Sequence, residues 1–450
     1  MNGSQRRMEV FKEIARLTFN NQLKERIDQV PYMFEESPGG ITAVKNEVLV
    51  AMGLNPTAHA DIELSREVDA ALNLDEIELP LVTVNKSICS ECNQEDRREC
   101  QNSCTYDRDF ETSGLHPIIE NGKCLSCGKC IPRCPLGAIN DKIEFIPMSK
   151  YLEKGVPVYA AVAPAIAGQF GRDVSRDVSM GKLRSALKSI GFADMVEVAL
   201  FADMVTLKEA DEFNMLVKTK DDFLITSCCC PIWVNLLTKH YGKLYERLTK
   251  TVSPMIASGR IIKAIFPDSK TVFIGPCVAK KAEAKHSDLK GAIDYVLTFN
   301  ELSEVFKALE IDLKSLPDDN KEQSSYGGRT YARTGGVSQA VETTLERIAP
   351  GRTVKFKAIQ ADGVGECKKL LDSIKSGKVE ANFIEGMGCK GGCVGGPRAN
   401  MEPEEGKRCV EEYGHKAPFA DPIDNINVRQ LLKYLESLEK EQFDRLLLRQ

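Results

Sequence analysis

The sequence predicts an α/β domain preceded by a small, cysteine-rich α+β module and an N-terminal helical segment. Short β-branched or apolar runs alternate with helical stretches from about residue 149 to the end. Eight cysteines crowd into residues 89–134, and residues 1–80 show only helical apolar spacing. The expected units are therefore 1–80, 81–148 and 149–450.

A chain of 450 residues is long enough for about three domains at ~100–200 residues each, and 42% hydrophobic content supplies a sizeable core without covalent staples. Its sixteen cysteines exceed what packing needs. The N-terminus, MNGSQRRMEVFKEIARLTFNN, has no apolar signal region, and no run approaches ~18 apolar residues. A cytoplasmic, reducing setting with no membrane contact is expected, where clustered cysteines bind metal more often than they form disulfides. A net charge of −5 provides no basic face for nucleic acid.

In the first segment, Met8, Phe11, Ile14 and Leu17 recur at three-residue steps, and Ser37-Pro38-Gly39-Gly40 breaks the pattern before a second helix at 41–52. This segment reads as a helical cap or docking surface.

The second segment holds Cys89, Cys92, Cys100 and Cys104, then Cys124, Cys127, Cys130 and Cys134-Pro135. The later set is a complete C-x2-C-x2-C-x3-C-P run, the ligand spacing of 4Fe-4S ferredoxins, in which the fourth cysteine of each run serves the other cluster. Two 4Fe-4S clusters follow: one on Cys89, Cys92, Cys100 and Cys134, the other on Cys124, Cys127, Cys130 and Cys104. The earlier run departs from the pattern, with seven residues between its second and third cysteines and Thr105 in place of proline. Two zinc knuckles are the competing possibility, separable by acid-labile sulfide.

From residue 149 the strand-like runs are 156–163, 222–226, 271–275, 294–298, 354–360 and 381–385, with helices such as 180–191, 256–265 and 302–309 between them. Three runs end in cysteine motifs: ITSCCCPIW, VFIGPCVAKKAEA and FIEGMGCKGGCVGGP. Sites of open α/β sheets lie just beyond strand ends. Cys277, Cys389, Cys393 and one cysteine of the triple run would supply a further cubane, wrapped by a glycine-rich loop that can approach a bulky cofactor closely. Lys280 stands three residues beyond Cys277 as a donor to an anionic ligand. Gly386, Gly388 and Gly391 also spell a dinucleotide fingerprint, but the chain runs on to Gly396-Pro397 instead of opening a helix, so nucleotide binding is not expected.

The segments TSCCCPIW, GPCVAKKAEA and EGMGCKGGCVGG resemble the three signature motifs of the iron-iron (FeFe) hydrogenases, and the ferredoxin-like module precedes them as it does in many members. The resemblance extends from about residue 81 to the C-terminus. It implies a catalytic domain of the FeFe hydrogenase type holding an H-cluster, a 4Fe-4S cubane bridged to a two-iron subsite with carbonyl, cyanide and azadithiolate ligands. Cys393 matches the bridging cysteine, and Cys277, Cys389 and a cysteine of the triple run match the other ligands. Counting back from Pro231 makes Cys230 the ligand, Cys229 the proton-carrying thiol and Cys228 an extra thiol; counting forward from Thr226-Ser227 shifts both roles back by one. The resemblance also assigns Lys280 to a cyanide and Ala163, Pro164 and Ala165 to the other cyanide, and it places Pro276 and Met387 beside the cofactor. Many members have serine at the position of Ala165, so one side-chain hydrogen bond is expected to be missing there, and a second methionine at that of Gly275, so extra room or water is expected beside the cofactor. Protons would pass from Cys229 through Glu209, Thr249 and Glu212, with Leu216 where an outer arginine is usual.

What the resemblance implies is reversible interconversion of H2 with protons and electrons, a soluble ferredoxin as electron partner, and maturation enzymes that supply the two-iron subsite. A hydrogen-sensing relative and an iron-sulfur assembly scaffold lacking that subsite are the alternatives. Lys280 and the spare cysteine set this chain apart from a scaffold, because neither is needed to hold cubanes.

Overall fold

Two antiparallel strands, β1 (Val82–Val84) and β2 (Ile139–Asp141), bracket the cysteine-rich region and are the only regular sheet among its described residues. The computed structural model describes residues 3–153, 155–170, 178–227, 229–435 and 440–449, apart from 58, 60, 94–98, 101, 105–118 and 120–123. Cys228, the expected extra thiol, lies outside the described residues.

The runs of the third segment form two parallel sheets. The larger sheet has the order β4-β3-β6-β7, from β3 (Val158–Val162), β4 (Asp194–Glu197), β6 (Lys270–Gly275) and β7 (Tyr295–Thr298). The smaller has the order β5-β9-β8, from β5 (Leu224–Ile225), β8 (Ala358–Asp362) and β9 (Phe383–Met387). Helices cover the strands, which is why β3, β6, β7 and β9 read as near-continuous apolar runs. β4 escapes the sequence pattern because it is an edge strand with acidic ends, Asp194 and Glu197. β8 begins later than expected because the Asn382 side chain takes up the Lys357 N–H and the Lys355 carbonyl, replacing ladder bonds there.

The N-terminal segment is not an appended cap. In the Gly3–Phe19 helix, Val10, Phe11, Ile14 and Leu17 are buried in the same core as Phe145, Val296, Phe299 and Leu302. Phe11 meets Phe145 edge-on at 5.7 Å. At the helix start a Cβ on Gly3 would lie 2.3 Å from the Gly137 nitrogen, so only glycine permits this approach to the cluster module. An amphipathic helix is stabilised mainly by burying its apolar face, and here that face closes the core of the α/β domain. The boundary near residue 80 marks a change of chemical character and not a gap in packing.

The Val198–Leu216 helix runs through the centre of the domain, buried from Val198 to Thr206 and exposed only near its end. Behind it the Pro254–Ile265 helix starts at Ser253, whose side chain caps the Ile256 N–H, with proline in the first turn. The Lys440–Leu447 helix folds back on this region, and Leu448 forms an antiparallel bridge with Thr251. Among the described residues no helix is long and apolar enough to cross a membrane.

Candidate metal centre and proton path

The central cysteines come from both sheets. β6 runs into Cys277, β9 into Cys389 and β5 into Cys229 and Cys230, so their loops meet at the strands' C-terminal ends. Cys230 sits at the N-cap of the Pro231–His240 helix. That start is pinned by Trp233, whose indole N–H donates to the Thr226 carbonyl at 3.0 Å. The ring lies flat on β9, where a Cβ at Gly386 would fall 2.3 Å from it. Gly391 and Gly392, with φ of 79° and 87°, turn the chain from Cys389 to Cys393.

Cys230, Cys277, Cys389 and Cys393 share one neighbourhood. Burial first, then Cys230 and Cys393, push the Cys277 thiol up to about 12. Burial likewise holds Cys389 well above its usual range, with Cys277, Cys230 and Cys127 adding to it. The Gly388 N–H donates to the Cys230 sulfur at 3.3 Å. Burial and neighbouring thiols hold Cys230, Cys277 and Cys389 above the usual range, so these become thiolates readily only around a cation, and with Cys393 they make a donor set that suits an iron-sulfur cluster. Among the described residues no three His, Cys, Asp or Glu side chains converge on a single-ion site.

Cys229 faces elsewhere. With Lys280, Cys393, Tyr331 and the Ala163-Pro164-Ala165 turn it lines a cavity otherwise walled by apolar side chains, including Val198, Met255 and Phe273. Its thiol bonds to Cys393 and helps to lower the latter's pKa. Lys280 is buried and donates to Glu283 at 2.6 Å. Burial favours its neutral form, but Glu283, Cys229 and Cys277 outweigh that and its pKa rises. Pro276 and Met387 are not on the cavity wall. The Pro276 carbonyl accepts from the Arg398 N–H, and Met387 is buried at the end of β9 with its carbonyl bonded to the Gly363 N–H. The room expected beside Gly275 is also absent. Phe273, two residues back on the same face of β6, lays its ring 2.5 Å from where a Cβ would stand. Met255 and Tyr331 lie outside every motif, and Phe273, though within the VFIGPCVAKKAEA segment, carries no spacing that marks it as a cavity wall.

Glu209 is fully buried in a nest of hydroxyls. Its carboxylate accepts from Thr249 at 2.6 Å, Thr251 at 2.8 Å and Thr226 at 3.0 Å. Ser227 joins this group, its hydroxyl 3.1 Å from that of Thr249. Only Thr249 was expected among these. One turn along the helix, Glu212 accepts the Lys250 N–H at 3.2 Å. Burial, then the charge of Glu209, push the Glu212 carboxyl up to about 7. Leu216 is 53% exposed. The nearby Arg352 is spent on the Asn214 and Val217 carbonyls, at 3.1 and 2.5 Å.

Cys89, Cys100, Cys104, Cys124, Cys127, Cys130 and Cys134 form a second group beside this one. Cys124 is pushed up to about 11 by burial, with Cys127 and Cys104 adding to it, and Cys130 feels Cys127, Cys124, Cys104 and Cys100. Cys134 is buried among Ile88, Ile131 and Ile139, with Cys89 and Cys100 packed against the same cluster. The groups touch through Cys127, which packs with Cys230, Cys277 and Cys389, and through Gly128, where a Cβ would meet Val278 at 2.8 Å.

The sequence profile of the iron only hydrogenase large subunit, C-terminal domain, matches residues 156–397. The chain belongs to this family. It is 29% identical to the periplasmic Fe hydrogenase large subunit of Nitratidesulfovibrio vulgaris over 65% of this chain and 88% of that one. Iron hydrogenase 1 of Clostridium pasteurianum is 26% identical over 86% of this chain and 76% of its own. Protein NAR1 of Arabidopsis thaliana is 23% identical over 65% and 75%. An FeFe hydrogenase structure from Chlamydomonas reinhardtii superposes with a TM-score of 0.55 at 20% identity, covering 67% of this chain and 98% of that one. The α/β region therefore has the FeFe hydrogenase fold, and the family carries iron-sulfur cofactors. Its members include hydrogenases and iron-sulfur assembly factors.

Proposed function

We propose that the protein is a hydrogenase that interconverts H2 with protons and electrons and exchanges those electrons with a ferredoxin. The observation that supports this best is the cavity beside Cys393, which holds a second thiol, Cys229, and a buried lysine. A protein that only carried or delivered cubanes would need neither.

Cys230, Cys277, Cys389 and Cys393 would hold the H-cluster, with Cys393 shared between cubane and two-iron subsite. When bound, that cofactor supplies the hydride chemistry. Lys280 offers an ammonium to an anionic ligand in an apolar wall where a charged hydrogen bond is strong. The Ala163-Pro164-Ala165 turn offers backbone on the other side. Cys229 holds and releases a proton at its sulfur, and Glu209, Thr249 and Glu212 carry it outward, since a hydroxyl can donate and accept at once. Cys89, Cys92, Cys100 and Cys134, and Cys104, Cys124, Cys127 and Cys130, would hold two 4Fe-4S clusters, and the packing of Cys127 against the central group supports electron entry there.

Serine substitutions after maturation with the accessory enzymes test these roles. Cys230→Ser should lose cubane iron and sulfide, while Cys229→Ser should keep the metal content and lose turnover with reduced ferredoxin and with a small artificial donor. Wild-type protein that loads cubanes but shows no H2 turnover with either donor would favour the assembly-factor reading.

A further inference from the structure

The solvent end of the proton path lacks the cation that the family resemblance led one to expect. Leu216, one turn beyond Glu212, stands in its place and offers no hydrogen bond. The same helix face carries a cation one turn earlier: Lys208 and Leu216 flank Glu212 at four residues on either side. The Lys208 ammonium reaches the Asp444 carboxylate at 3.4 Å, both side chains about one-third exposed. Asp444 belongs to the Lys440–Leu447 helix, which the chain lays over the loop that builds the relay.

That loop is held from both sides. Inward, it presents the Thr249 and Thr251 hydroxyls to Glu209 and the Lys250 N–H to Glu212. Outward, the Lys250 carbonyl accepts the Arg449 N–H at 2.7 Å, and the Val252 N–H donates to the Leu447 carbonyl at 2.8 Å. Arg260 ties down the same segment through the Arg445 and Leu448 carbonyls, at 2.6 and 2.9 Å. The charged groups acting on Glu212 are Glu209 and Lys208 from its own helix and Lys250 from the loop.

We propose that Lys208 and Asp444, joined across the C-terminal helix, form the solvent-side end of the proton path in this protein. Lys208 is a positioning residue: its charge favours the ionised form of Glu212, and Asp444 fixes where that charge stands. The proposal rests on the hydrogenase reading for its purpose, but the coupling of the three groups does not.

The test is an infrared pH titration of the Glu212 carboxyl band in the full, matured chain, the band being assigned by its loss in Glu212→Gln. Lys208→Met should move the midpoint upward by about half a pH unit, and Asp444→Asn should move it downward by a similar amount, as expected for partly exposed charges. Lys208→Arg should restore the wild-type midpoint. H2-oxidation turnover at a fixed pH well below the midpoint, where the ionised fraction of Glu212 limits proton uptake, should fall about three-fold in Lys208→Met and recover in Lys208→Arg. Midpoints that do not move, or that move the same way in both variants, would overturn the proposal while leaving the hydrogenase reading intact. Opposite shifts in a matured protein that shows no H2 turnover would instead sink the hydrogenase reading and leave the coupling standing.

Discussion

Two buried polar regions lie on either side of the cysteine centre, and they are built from different chemistry. At Asp141, near the N-terminal helix, one carboxylate receives Arg7 at 2.8 Å, Lys281 at 2.9 Å and Arg398. Lys281 also bonds Glu301 at 2.7 Å and the Lys142 carbonyl at 2.8 Å. Burial opposes the charge on Asp141, but the three cations outweigh it and hold its carboxyl well below the usual range. At Glu209 the carboxylate is met by threonine hydroxyls. Guanidinium and ammonium groups only donate, so the Asp141 region is a fixed lock joining the N-terminal helix, the cluster module and the loops of Cys277 and Cys393. Hydroxyls rotate and can both donate and accept, so the Glu209 region can move a proton. The contrast separates what holds the centre together from what serves its chemistry.

Asp141→Asn should have the largest effect and should act on stability. It leaves three buried cations with one carboxylate fewer, and breaking such a set typically costs about 3–5 kcal/mol. A denaturant midpoint close to wild type would show that the lock contributes little. The low pKa of Asp141 also fixes the sign with pH. Its contribution is present above the ordinary carboxylate range and is lost only as pH falls through the depressed native value. Acid unfolding of wild type should therefore require strongly acidic solution.

Glu209→Gln should reverse the pattern. The amide keeps the size and the ability to accept a hydrogen bond but cannot ionise, so melting should change little while turnover falls roughly 100-fold or more. Unchanged turnover would route protons around Glu209. Thr251→Val should be mildest: two other threonine hydroxyls still reach Glu209, and losing one hydrogen bond typically costs about 1 kcal/mol. A loss as deep as that of Glu209→Gln would make Thr251, and not Thr249, the principal carrier.

What could be read from the sequence follows the same division. The three later motifs were legible as the mark of the family, because cysteines among glycines at a strand end have few other uses, and the run from Cys124 to Cys134 stood out by its short fixed spacing. The strand at Phe383–Met387 was legible because an apolar run ended at a glycine-rich loop. The division of the strands between two sheets was not legible, because β5 is only two residues long and pairs with a strand far along the chain. The role of residues 1–80 was hidden for a related reason: Arg6 and Arg7 look like surface charges beside Gln5 until the fold brings Glu47 and Asp141 to them. Phe273 over Gly275, and Thr226 and Thr251 around Glu209, depend on facing elements that no local pattern specifies.

The central claim is that the cavity between Cys393, Cys229 and Lys280 receives a two-iron subsite. Infrared spectroscopy of the full chain, matured with its accessory enzymes and compared with the same chain loaded with cubanes alone, tests this most directly. Bands from bound carbonyl and cyanide should appear only after maturation, and Lys280→Met should shift or weaken the cyanide bands. A fully loaded set of cubanes with no carbonyl or cyanide bands after maturation would contradict the account and place the protein with the assembly factors of its family.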